Sequence, residues 1–487
     1  MSRDLIGDRS EQRNLPEPSD RKWWAMLGVG LGVLMFTLDT SIVNIALPTL
    51  VQVFQTSFAT IQWVVLSYLL VITALVLGAA RLGDMFGKKR LYLGGLVVFT
   101  ISSLLCGLAP SVGWLIAFRA LQGFGAVMIS ALGAAIVTEV FPSAERGRAL
   151  GIIGAVVSLG VALGPSVGGV LISVAGWRSI FLVNLPIGIF ALFVVVRSVP
   201  ASRSTNRNQR FDFWGAILLS IVLTLFAVGM TYGQDFGFTK PITLMLLGAA
   251  AIGLMLFVRL EARINQPMLD LHLFQNLQFS LSLVAGVLVF IVISGLIFIL
   301  PFFLELVLHY PTQHVGLLLA VSPILGGIVA PISGNLSDRF GTRKISLLGL
   351  GFMLVGCLAI STLNANTTDL DYMIRVAPFG VGLGLFQSPN NSAILGAVPR
   401  ERLGIASGLL ALSRTLGQTT GVPVLGSIFT FLTLARSNAA TVTGAPPEAL
   451  VAGVRGTFEA AAIALFLAMA IVFRLWRGQQ HKPVVAK

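Results

Sequence analysis

The chain has 487 residues, 55% of them hydrophobic and 11% charged, and its mean hydropathy is +0.89. A soluble domain of ordinary composition carries roughly 25% charge, so a soluble enzyme or nucleic-acid-binding protein is excluded despite the net charge of +13. Cys106 and Cys357 both lie inside apolar runs and read as small core residues, with no disulfide and no metal site.

Apolar runs of about 20 residues, the length that crosses a bilayer as a helix, recur along the whole sequence. They fall at about 24–47, 59–81, 91–109, 112–137, 147–172, 178–196, 212–232, 241–259, 279–307, 315–336, 345–363, 370–396, 404–432 and 454–476. Residues 1–22 are polar and Arg-containing, and no cleavable signal is read there. Of the 33 Lys and Arg, Arg178, Lys240, Arg436 and Arg455 fall on one side of the spans. Arg119, Arg375 and Arg414 fall within spans, and the remainder lie on the other side. The positive-inside rule makes that basic side cytoplasmic, together with both termini. The net charge is therefore a topology signal.

Asp39 sits in the outer half of span one, with Asn44 little more than a turn further on. Acidic residues within spans are rare and functional by default. Burial penalises the charged carboxylate, so such a group holds a proton or a cation but not both well. Competition of that kind is the simplest basis for antiport.

Span two ends in Leu82-Gly83-Asp84-Met85-Phe86-Gly87-Lys88-Lys89-Arg90, and span ten ends in Leu336-Ser337-Asp338-Arg339-Phe340-Gly341-Thr342-Arg343-Lys344. A second pair follows at a similar offset, Pro142 with Gly147 to Gly151 and Pro399 with Gly404 to Gly408. The chain is thus read as duplicated, and duplicated helical membrane proteins are mostly secondary transporters. Each loop places an acid at a helix end beside cations, where it can latch a cytoplasmic face shut. The offset requires two extra spans between the halves. The expected organisation is a tail (1–22), a six-helix bundle (23–200), two inserted helices (201–263), a second bundle (264–477) and a tail (478–487).

Arg119 lies inside span four, one turn from Gln122. An unpaired guanidinium in a membrane costs about 2.5–3.5 kcal/mol on insertion scales, so it should face a water-filled cavity or a polar partner. Span five carries Gly160, Gly164, Gly168 and Gly169 around Pro165. Small residues let helices approach closely in lipid, and the proline permits a bend. Glu305 stands near the outer end of span nine. Asp371 and Arg375, four residues apart at the start of span twelve, read as a surface helix pair. Gln387, Asn390, Asn391, Arg414 and Gln418 are candidates to line the second half's share of a central cavity.

Taken in order, these motifs resemble the major facilitator superfamily, and within it the fourteen-helix branch of drug:proton antiporters. Gly78, Asp84, Gly87, Lys88 and Arg90 match its cytoplasmic-gate signature, with a second version at Gly334, Asp338, Gly341 and Arg343. Leu38-Asp39-Thr40-Ser41-Ile42-Val43-Asn44-Ile45-Ala46-Leu47-Pro48 resembles the branch's first-helix signature. Arg119 to Gly125 is similar to its buried-arginine motif, and Gly154 through Gly169 to its antiporter motif. Trp177-Arg178 through Asn184-Leu185-Pro186-Ile187-Gly188 is similar to the start of its sixth helix. The resemblance covers nearly the whole chain.

It implies an all-α membrane protein of the major facilitator fold, two six-helix bundles plus two inserted helices. It also implies export of small lipophilic or cationic compounds in exchange for protons, by alternating access. Asp39 and Arg119 would carry the coupling, with Glu305 as a further candidate where the branch more usually has an uncharged amide. The expected setting is the plasma or inner membrane, as a monomer, without cofactor or metal. A uniporter or importer of the same fold, or an exporter of a lipid or secreted metabolite, stays open. An ATP-driven pump is disfavoured because no G-x-x-x-x-G-K-[ST] loop is present. The four histidines, at 272, 309, 314 and 481, make no metal-ligand cluster that would suggest a membrane enzyme.

Overall fold

The computed structural model describes residues 18–142, 145–200, 212–264, 271–398, 403–437 and 439–480. Among them the regular elements are all helical. In chain order these are α1 (Pro18–Phe54), α2 (Phe58–Phe86), α3 (Lys88–Gly107), α4 (Val112–Val140), α5 (Arg146–Ala175), α6 (Ser179–Leu182), α7 (Asn184–Ser198), α8 (Phe213–Phe236) and α9 (Pro241–Glu261). Then follow α10 (Leu277–Leu306), α11 (Thr312–Leu319), α12 (Val321–Phe340), α13 (Thr342–Ile360), α14 (Asp369–Leu395), α15 (Leu403–Leu434) and α16 (Pro447–Gln480). Helix α6 continues into α7, and α11 into α12, so that each pair makes a single span.

Twelve such spans are long and apolar enough to cross a membrane by length and composition. α14 and α15, at 27 and 32 residues, are long enough but more polar. They carry Gln387, Asn390 and Asn391 in one case and Arg414 and Gln418 in the other. Both pack between other helices, α14 against α12 and α13, α15 against α10 and α16. Their polarity is therefore turned toward protein, and with them the candidate crossings among the described residues number fourteen.

The packing repeats between the halves. α4 lies against α2 and α3 as α14 lies against α12 and α13. α1 packs on α5 and α7 as α10 packs on α15 and α16, and the contact of α3 with α7 recurs between α13 and α16. α8 and α9 pack on each other, and α8 touches α2 in one half and α15 in the other. Polar contacts fix it there. Trp63 Nε1 donates to Thr231 Oγ1 at 3.2 Å, and Gln62 Nε2 to Gln234 Oε1 at 2.8 Å. Gln234 Nε2 then reaches the Pro423 carbonyl at 3.2 Å.

Prolines inside spans remove a backbone donor and orphan the carbonyl four residues earlier. Two of these carbonyls are satisfied in matching fashion. Opposite Pro165, Ser41 Oγ donates to the Val161 carbonyl at 3.0 Å, and opposite Pro389, Ser333 Oγ donates to the Leu385 carbonyl at 3.0 Å. The outer faces stay apolar and uncovered, as at Trp214, Met245 and Met255. Such a surface is tolerable where lipid covers it.

Between α9 and α10 lies a 3-10 turn, Leu271–Gln275; residues 265–270 lie outside those described.

Candidate functional site: a buried ion pair and an open polar floor

The break between α6 and α7 falls at Val183, so Asn184 opens α7 with its amide turned into the first bundle. There it meets Asp39 from α1, Ser103 from α3, and Arg119 and Gln122 from α4. Asp39, Gln122, Asn184 and Ser103 are 0% exposed and Arg119 1%. Arg119 Nη1 donates to Asp39 Oδ2 at 2.6 Å and to Gln122 Oε1 at 2.7 Å, and its Nε donates to the Val64 carbonyl at 3.0 Å. Asp39 Oδ1 accepts from Gln122 Nε2 at 2.9 Å and from Asn184 Nδ2 at 3.0 Å. Ser103 Oγ accepts from both amides, at 2.8 and 2.9 Å. The guanidinium lies over the Tyr68 ring, 4.1 Å from its centroid.

A buried ion pair is tolerated only when geometry and further hydrogen bonds satisfy both groups. Here both carboxylate oxygens are engaged, and the guanidinium has a carboxylate, an amide, a carbonyl and a ring. Of the two environments open to Arg119, the structure gives the polar partner. Asp39, Arg119 and Gln122 are legible in the sequence as polar residues of apolar helices, whereas the convergence of Ser103 and Asn184 on them is seen only in the fold. An isolated Asn between apolar residues, before Leu185-Pro186, was the available signal for Asn184.

Glu305 does not join this cluster. It stands half-buried at the outer end of α10, in the other half, with no partner for Oε1 among the described residues. Asn44 donates to the Thr40 carbonyl at 2.9 Å and lines a cavity of about 70 Å³ between the halves, with Ser41, Pro165, Ile293, Phe379 and Leu383.

In the gate motifs the repeat is visible in the backbone. Gly87 and Gly341 both have φ of 91°, and their N–H groups donate to Gly83 and Ser337 carbonyls at 3.0 and 2.9 Å. A positive φ favours glycine at these helix junctions. Lys88 pairs with Glu139, Arg90 is exposed, and Arg343 donates to the Leu475 carbonyl at 2.7 Å and to Gln278 Oε1 at 2.8 Å. The side chains of Asp84 and Asp338 lie outside those described.

The glycines of α5 serve close approach. A Cβ on Gly160, Gly164 or Gly168 would run into Thr37, Ser41 or Ile42 of α1. One on Gly169 would lie 2.7 Å from the Thr312 carbonyl of α11, in the other half. Further contacts between halves stand near the same outer ends, where the Phe58 ring meets Phe298, Phe302 and Phe429 at 5.0, 4.8 and 5.5 Å.

The expected pair of Asp371 and Arg375 is not formed. Asp371 instead closes a capping box with Thr368 at the start of α14, and Arg375 Nη1 has no partner among the described residues. A helix start offers Asp371 unpaired N–H groups, which compete with a solvent-exposed ion pair.

Of Gln387, Asn390 and Asn391 on α14 and Arg414 and Gln418 on α15, Asn390 comes within 4 Å of a Cβ placed on Gly286 of α10, and Arg414 lies 5.3 Å from the Phe290 ring of the same helix.

The sequence profile of the Major Facilitator Superfamily matches residues 29–422 and again 283–486. The chain belongs to the major facilitator superfamily. It is 37% identical over 410 residues to the riboflavin transporter RibZ of Clostridioides difficile, covering 84% of this chain and 88% of that protein. It is 37% identical over 404 residues to the multidrug resistance protein Stp of Mycobacterium tuberculosis (strain H37Rv), covering 83% and 75%. It is 32% identical over 414 residues to the tetracenomycin C resistance and export protein of Streptomyces glaucescens, covering 83% and 76%. A bacterial homologue of the lysosomal transporter Spinster, solved inward-facing and unoccupied, superposes with a TM-score of 0.66 at 18% identity over 94% of this chain and 97% of that one. The chain is a multi-pass membrane transport protein and not an enzyme.

Proposed function

We propose that the chain exports small lipophilic compounds in exchange for protons by alternating access. The observation that carries this reading is the Asp39–Arg119 pair, buried in one bundle with every carboxylate oxygen engaged. A proton arriving at Asp39 removes the charge that holds Arg119 and leaves it with Gln122, the Val64 carbonyl and the Tyr68 ring alone. The first bundle then has two arrangements that differ by one proton, which is what coupling requires. Glu305, at the outer end of α10 in the second half, is a further carboxyl for the same traffic.

In this reading the loops at Gly87-Lys88-Arg90 and Gly341-Arg343, with Asp84 and Asp338, are the cytoplasmic gate. The glycines around Pro165 let α5 slide on α1 and α11 at the outer gate. The lipophilic part of the substrate class rests on the cavity beside Asn44 and on the multidrug and antibiotic exporters among the relatives. The cationic part has only Glu305 to rest on, since Asp39 is taken by Arg119. The likeness to a riboflavin transporter favours a second reading, facilitated movement of a metabolite.

The test is flux from proteoliposomes with an imposed proton gradient, using ethidium and carboxyfluorescein as probes. Gradient-dependent movement of either probe, lost in Asp39→Asn, supports coupled export. Equal movement with and without the gradient sinks it in favour of a facilitator.

A further inference from the structure

Arg414 is the one arginine within the described spans that sits near mid-span with no carboxylate. It stands 11 residues into α15, about 16 Å along the helix at 1.5 Å per residue. None of the ion pairs among the described residues includes it. Its Nε is enclosed and has no hydrogen-bond partner. The Phe290 ring lies 5.3 Å from its Cζ. Glu305, the remaining carboxylate on α10, lies 15 residues beyond Phe290, about 22 Å along the helix.

The surroundings are built as a pocket floor. Gly286, one turn from Phe290, leaves open the place where a Cβ would stand 3.5 Å from Asn390 Nδ2 and 3.7 Å from Ser413 Oγ. Asn390 is 4% exposed, and Gln387 precedes it on the same helix. Going outward on the same helix faces, Phe290 leads to Ile293 and Gln387 leads to Leu383. Both Ile293 and Leu383 line the apolar cavity between the halves. An apolar chamber therefore sits above a floor of amide donors and a cation that lacks a counter-charge.

We propose that Arg414 binds the acidic group of the substrate, with Asn390 as a second donor, and that the transported compounds are aromatic or apolar frames bearing an ionised acid. A guanidinium this deep is costly to leave unpaired and recognises a planar or tetrahedral oxyanion through several N–H groups. Asp39 offers no competing site for a cation, because Arg119 neutralises it. This deepens the export reading and rests on it for the word substrate, but binding is testable without transport.

The experiment is calorimetric binding to the full chain in phosphatidylcholine nanodiscs, where no lipid headgroup carries a net negative charge. The probes are naphthalene-2-sulfonate, naphthalene-2-sulfonamide and trimethyl(2-naphthyl)ammonium. The sulfonate is expected to bind roughly tenfold or more tighter than the neutral sulfonamide, as charge-assisted hydrogen bonds imply. Arg414→Gln should erase that difference, with a melting temperature close to wild type reporting an intact fold. Arg414→Lys should keep part of it, since it retains the charge and loses the planar fork. Tighter binding of the ammonium probe, or a sulfonate preference that survives Arg414→Gln, overturns the proposal. Failure of the export reading shows separately, as sulfonate binding that persists without gradient-driven flux.

Discussion

The two bundles share a packing plan but treat their inner arginines in opposite ways. In the first, Arg119 is locked to Asp39 within a network that includes Gln122, Asn184 and Ser103, so that charge is cancelled and both carboxylate oxygens are engaged, with Asn184 Oδ1 left unpartnered. In the second, Arg414 has a ring and no carboxylate, and its Nε has no partner. Duplication supplied the scaffold, down to the matched glycines at the gate loops, Gly87 and Gly341, both with φ of 91°. What diverged is the chemistry inside it. A satisfied buried network rigidifies its bundle, whereas an unpaired buried group carries a cost that a partner would relieve.

That contrast can be broken most severely at Arg119. Arg119→Ala leaves Asp39 buried and uncompensated, a loss of about 3–5 kcal/mol. It is expected to cut the yield of monodisperse protein and lower the melting temperature. Arg414→Ala breaks no pair and should melt close to wild type. If the two variants melt alike, the contrast fails.

Next in size is close packing. Gly164→Leu drives a side chain into Ser41 of α1, an overpacking cost of about 1–3 kcal/mol. Flux should fall in parallel with the melting temperature. The same substitution at Gly351, where nothing lies within 4 Å of a Cβ, should be neutral in thermal melting.

Asn184→Ala removes one donor to Asp39 and one to Ser103. The expected loss is about 1–3 kcal/mol for the groups left unsatisfied. A double-mutant cycle with Ser103→Ala should show strong non-additivity, because the two side chains are in contact. Additive losses would mean that the network is a set of separate contacts.

The smallest effect tests the symmetry itself. Gly87→Ala and Gly341→Ala each place a Cβ on a residue with φ of 91°, costing more than roughly 0.4–1 kcal/mol apiece. Similar shifts in melting temperature are expected for both. A large shift in only one would show that the two gate loops are not equivalent.

The helical crossings were legible because lipid demands long apolar runs, and the duplication because Leu82 to Arg90 and Leu336 to Lys344 survive as a motif. Asp39, Arg119 and Gln122 stood out as polar residues in apolar helices. Ser103 and Asn184 did not, because hydroxyls and amides within spans are common and only the fold shows which of them converge. Asp371 was misjudged for a local reason. Spacing of four residues suggests an ion pair, but a cap at Thr368 is the nearer partner for a carboxylate at a helix start. The absence of a counter-ion for Arg414 is a three-dimensional fact that sequence spacing does not hold.

One comparison tests the division between the bundles most directly: equilibrium exchange of a bound probe against gradient-driven flux of the same probe, measured in proteoliposomes for Asp39→Asn and Arg414→Gln. Asp39→Asn is expected to keep exchange and lose concentration against a gradient. Arg414→Gln should weaken exchange through its concentration dependence while leaving the response to the gradient in place. A well-folded Asp39→Asn that still concentrates the probe, or loses exchange as fully as flux, would contradict the assignment of the proton switch to the first bundle.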